Sequence, residues 1–95
     1  MNRKEIQALH DATEKKLQGL LNSVKEPFVK GYHFYDLGQT DSNEFTGIMV
    51  EIRVNRVYHY YETMLKYWKN QLNADEYYIT FKCNTLVICF KIRKL

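Results

Sequence analysis

Asn55–Leu72, NRVYHYYETMLKYWKNQL, holds the only tryptophan and four of the eight tyrosines of this 95-residue chain. At about 100° per residue, Val57, Tyr61, Met64, Leu65, Trp68 and Leu72 fall on one face. His59, Glu62, Thr63, Lys66, Lys69 and Asn70 fall on the other, so the stretch predicts a helix with one face in the core. Asn55 is placed to cap its start, because a short side-chain oxygen takes up an orphan N–H of the first turn, and Asn73 to close its end.

On the N-terminal side stands Ile48–Val54, IMVEIRV, where Ile48, Val50, Ile52 and Val54 alternate with Met49, Glu51 and Arg53. A period of two is the pattern of a strand buried on one face. Before it come Tyr32–Leu37, aromatic and extended, and a polar connection, GQTDSNEFTG. Further back, Ile6, Leu9, Leu17, Leu20, Leu21 and Val24 form a helical stripe over residues 3–24, with His10 at its edge. Asn2 and Glu5 have the spacing of a capping box, and Pro27 predicts a stop at about Lys25.

On the C-terminal side, Tyr77–Cys83 and Leu86–Arg93 read as a hairpin turning at Asn84-Thr85. That turn pairs Cys83 with Leu86, Phe81 with Ile88, Ile79 with Phe90 and Tyr77 with Ile92 on the inner side, and Glu76 with Arg93 on the outer. Thr85 fits it poorly, since β-branched residues resist positive φ.

The elements give α-β-β-α-β-β, an α+β fold with two helices on one face of a four-stranded sheet. The order also results when the first strand of a ferredoxin-like βαββαβ arrangement is moved to the end, which makes Ile48–Val54 and Leu86–Arg93 central and the other two strands edges. A meander in chain order is the alternative. The expected core includes Leu17, Leu20, Val50, Ile52, Met64, Trp68, Phe81, Ile88 and Phe90.

The length fits one domain, residues 1–95, and one Pro with four Gly leaves little room for a linker. No apolar run approaches the roughly 18 residues of a membrane span and no signal-peptide core opens the chain, so a cytoplasmic protein without a membrane partner is expected. Residues 1–52 carry six basic and eight acidic side chains, and residues 53–95 eight basic and three acidic. At a pI of 8.8 the chain lies just under the mark of about 9 typical of nucleic-acid binders.

Residue types that carry chemistry are present without the spacing that chemistry needs. His10, His33, His59, Cys83 and Cys89 lack zinc-site spacing, Asp36 and Asp41–Glu44 lack the order of a calcium loop, and no cofactor motif occurs. The hairpin register turns Cys83 inward and Cys89 outward, which predicts free thiols with Cys89 the more exposed. Glu51 with Arg53, or His59 with Glu62, are ordinary surface neighbours, and an enzyme is not expected.

Two binding readings remain. The first is a non-enzymatic module that contacts a protein through the Tyr32–Leu37 edge or the acidic loop, using Tyr32, His33, Tyr35, Asp41 and Glu44, since Tyr supplies contact area at low entropy cost. Rich Lys, Asn, Tyr and Ile usage is that of a low-GC bacterium or its phage, where small regulators and inhibitors are expected. The second places single-stranded nucleic acid on an outer sheet face holding Met49, Arg53, Tyr78, Lys82, Cys89, Lys91 and Arg93. There Lys82, Lys91 and Arg93 would meet phosphates, Tyr78 would stack, and Glu51 interrupts the patch. Pairing of an exposed edge strand into a homodimer is a third outcome.

Overall fold

The computed structural model describes residues 1–23, 29–39, 44–54 and 61–94. Its elements are α1 (Arg3–Asn22), β1 (Val29–Gln39), β2 (Glu44–Val54), α2 (Tyr61–Gln71), β3 (Glu76–Lys82) and β4 (Thr85–Ile92). The sheet order is β1-β2-β4-β3 with every neighbouring pair antiparallel, as the permuted arrangement requires, and the meander is excluded.

α1 begins where the sequence marks it. The Asn2 side chain accepts from the Glu5 N–H at 2.8 Å, and Glu5 accepts from the Asn2 N–H at 3.1 Å, which completes the capping box. The helix closes at Ser23, whose hydroxyl donates to the Leu20 carbonyl at 2.7 Å. This is short of Lys25, and Val24 lies outside the described residues. Ile6, Leu9, Thr13, Leu17 and Leu20 are buried.

In α2, Leu65, Trp68 and Leu72 are buried while Met64 is half-buried. Asn73 has φ 57° and the Ala74 N–H reaches back to the Lys69 carbonyl at 2.9 Å, a left-handed closure of the helix end. The proposed cap Asn55, with Val57 and His59, lies outside the described residues.

β1 and β2 are longer than the sequence suggested, because residues 38–39 and 44–47 extend the ladder and only 40–43 separate the strands. Local polarity disguised these strand ends, which pair nonetheless through backbone groups that need no apolar side chain. Gly38 has φ 120°, and a Cβ there would meet the Glu44 carbonyl oxygen at 2.4 Å.

The β3–β4 hairpin corrects the expected register. It turns at Cys83-Asn84, with φ 51° and 63°, so Phe81 faces Leu86, Ile79 faces Ile88, Tyr77 faces Phe90 and Glu76 faces Lys91. Thr85 escapes the positive φ it resists, and the whole ladder moves by two residues, which leaves the strand residues on their expected faces and takes Cys83 out of the ladder into the turn. Ile48, Val50, Ile52, Val54, Leu86, Ile88, Phe90 and Ile92 form the sheet's half of the core. Phe81 does not join them and is 72% exposed, because the helix layer leaves the turn end of edge strand β3 open. Cys83 is an exposed turn residue, not an inward one. Among the described residues no helix is long and apolar enough to cross a membrane.

Candidate functional site

Both helices cover one side of the sheet, and the other side carries the candidate surface. Strand alternation puts His33 and Tyr35 from β1, Met49, Glu51 and Arg53 from β2, Val87, Cys89 and Lys91 from β4, and Tyr78, Thr80 and Lys82 from β3 on that side. Register lines up His33, Glu51, Cys89 and Tyr78 as one row across all four strands.

Glu51 is 7% exposed at the middle of this open face, and Lys82 from β3 reaches across β4 to pair with its carboxylate. The hydrogen bond to Glu51 is the main reason the Lys82 ammonium titrates above its ordinary range. Lys82 Nζ also lies 5.8 Å from the centre of the Tyr35 ring, and Lys91 Nζ 5.7 Å from that of Tyr78. The Tyr78 hydroxyl donates to Met49 Sδ at 3.5 Å. Hydrogen bonding with the Cys89 thiol, then burial, raises the Tyr78 pKa.

Cys89 is fully buried beneath these side chains and not the exposed thiol its outward direction implied. The long side chains of its neighbours close over a small residue at the sheet centre. Burial pushes its thiol up against the hydrogen bond with Tyr78, which lowers it, and the Glu51 charge adds to the rise while Lys82 and Lys91 oppose it slightly. A thiol, a carboxylate and an imidazole in one row have the composition of a nucleophilic site, but an activated cysteine needs a lowered pKa and access, and Cys89 has the reverse.

The basic patch is largely spent on the chain's own carboxylates. Lys82 pairs with Glu51, Lys91 with Glu76 at 3.3 Å, and Arg93 with Asp75 at 3.7 Å and Glu76 at 3.9 Å. Arg93 lies past the end of β4, held further by its N–H donating to Asp75 at 3.0 Å. Arg53 is exposed and forms no ion pair among the described residues. Its guanidinium lies across the β1 backbone, since a Cβ on Gly31 would come within 2.8 Å of Nη2.

The protein-contact candidates separate. His33 and Tyr35 stack edge to face, with ring centres 4.6 Å apart, beside a shallow cleft of about 230 Å³ that Tyr32, Glu51 and Arg53 also line. Tyr32 points to the helix side, donating to Glu14 at 3.2 Å and accepting from Gln18, and burial followed by the Glu14 charge raises its pKa. Glu44 is the exposed first residue of β2, and Asp41 lies outside the described residues. His10 pairs with Asp36 at 2.5 Å at the core edge. Among the described residues no group of three or more His, Cys, Asp or Glu could hold a metal.

The Glu51–Lys82 pair and the buried Cys89 were not visible in sequence, because both depend on β4 lying between β2 and β3. The hint was a carboxylate, Glu51, in the middle of a central strand whose neighbours Val50 and Ile52 are apolar. Comparison with family models, characterised proteins and solved structures found no match to this chain.

Proposed function

We propose that the chain is a non-enzymatic binding module that regulates or inhibits a protein partner held on the open sheet face around His33, Tyr35 and Arg53. The observation that supports this is the charge pairing of that face. Three of its four cations already have carboxylate partners, while Tyr35 and Tyr78 stay 41% exposed. Aromatic area with one unpaired Arg is the make-up of a protein interface core, and a phosphate-tracking groove needs free cations. The partner would set apolar or aromatic side chains against Tyr35 and Tyr78 and offer a carboxylate to Arg53, for which Arg's planar fork is suited.

The test is affinity capture from lysate with the wild type, the double variant Tyr35→Ala/Arg53→Ala, and Glu62→Ala on the exposed side of α2 as control. A protein retained by wild type and control and lost by the double variant is expected. Retention by all three would move the interface off this face. A shift of single-stranded RNA at physiological salt that Lys91→Ala/Arg93→Ala abolishes would replace the reading with the nucleic-acid one.

A further inference from the structure

β3 ends the sheet without protection. It has no Pro, no Gly, a continuous register from Glu76 to Lys82, and on its helix-facing side Ile79 and Phe81, 45% and 72% exposed. The two-residue turn makes Lys82 and Thr85 the closing hydrogen-bonded pair, so Tyr78, Thr80 and Lys82 spend their backbone groups on β4. By alternation Tyr77, Ile79 and Phe81 aim their N–H and C=O groups at the free side.

The strand is also complementary to itself. Turned about a two-fold axis at Ile79, Glu76–Lys82 overlaps a second copy of itself over its full length. Ile79 then meets Ile79, and Tyr77 meets Phe81 of the other copy, each pair aligned to exchange two backbone hydrogen bonds. On the open face, Glu76, which also pairs with Lys91, falls opposite Lys82 of the other copy, which also pairs with Glu51, so each of the two contacts extends an existing ion pair at a closer non-hydrogen-bonded position. Sliding the copies by two residues in either direction loses both charge pairs and shortens the overlap.

We propose that this edge pairs with the same edge of a second copy, forming a continuous eight-stranded antiparallel sheet with all four helices on one side. A two-fold contact uses up both β3 edges and closes, which leaves only the two β1 edges exposed. The dimer uses the free backbone edge of β3 and the partner the open face, which Tyr78 and Lys82 of β3 border. Ile79→Pro, which leaves Tyr35, Arg53 and Tyr78 in place, and Tyr35→Ala/Arg53→Ala, which leaves β3 intact, tell the two readings apart.

Sedimentation velocity over a range of concentration tests it. The wild type should pass from the 11.5 kDa chain to twice that mass. Ile79→Pro removes a donor that by alternation faces away from β4 and bonds nothing among the described residues, and should abolish the dimer while circular dichroism keeps the monomer signature. Glu76→Lys sets like charges opposite one another at both positions of its own homodimer and should weaken association by about tenfold. Lys82→Glu does the same but also faces the buried Glu51, so circular dichroism must first show that it keeps the monomer fold. Mixed together they restore opposite charges at both positions, so the mixture should dimerise as the wild type does. A wild type that stays monomeric to millimolar concentration, a dimer that survives Ile79→Pro, or a mixture no tighter than its components would each overturn the proposal.

Discussion

β1 and β3 both end the sheet, yet they carry different defences. β1 has register shifts at Val29/Gly31 and Leu37/Gly38, a glycine at φ 120°, and the charge of Asp36 on its helix-facing side. Each of these makes it harder for another strand to dock. β3 is short and regular, and it shows Ile79 and Phe81 where β1 shows Asp36. The proposed dimer uses the bare edge and leaves the guarded one unpaired, while the proposed partner meets side chains of the guarded strand, His33 and Tyr35, on the open face.

The comparison requires that α2 seals the centre of the sheet and leaves the end of β3 open. Trp68→Ala should therefore cost about 3–5 kcal/mol in denaturant unfolding. A loss below about 1 kcal/mol would place Trp68 outside the core and remove the cover that makes β3's exposure distinctive. At the guarded edge, Gly38→Ala should cost about 1–3 kcal/mol, because the new Cβ meets the Glu44 carbonyl in a backbone conformation unfavourable to alanine. A neutral result would mean that the β1 irregularity is not built on that glycine.

Phe81→Ala should change monomer stability by only about 0.5 kcal/mol, as for a surface position, while still weakening self-association. A core-sized loss would show that the turn end of β3 is covered after all. The smallest effect concerns pH. Folding raises the Cys89 pKa through burial, so the folded state holds that proton more tightly than the unfolded chain. Stability should be level below the ordinary thiol value of about 8.5 and fall above it, as the unfolded thiol ionises first. Cys89→Ala should flatten that decline, and a thiol reagent should label Cys83 in the native protein and spare Cys89. Rapid native labelling of Cys89 would show that its cover opens easily.

Much of the fold was legible because its signals are local. Asn2 and Glu5 mark α1, Asn73 ends α2, and the alternation in IMVEIRV orients a central strand. These depend on backbone sterics and on the 3.6 and 2.0 residue periods, which neighbours in sequence express by themselves. The hairpin faces were legible for the same reason, since any even shift of register keeps them. The turn position was not, because Asn84 suits positive φ as either central residue and the choice rested on whether Thr85 or Cys83 joined it.

The sequence alone determined the element order, the helix-facing sides of β2, β3 and β4, and the mildly basic charge of the chain. Tertiary structure decided what burial depends on: that Phe81 lies outside the helix cover, that Cys89 lies under Tyr78 and Lys82, and that Glu51 has a cation. Direction out of a strand is a property of one residue. Exposure is a property of whatever stands next to it, and in β1-β2-β4-β3 those neighbours come from segments far apart in the chain.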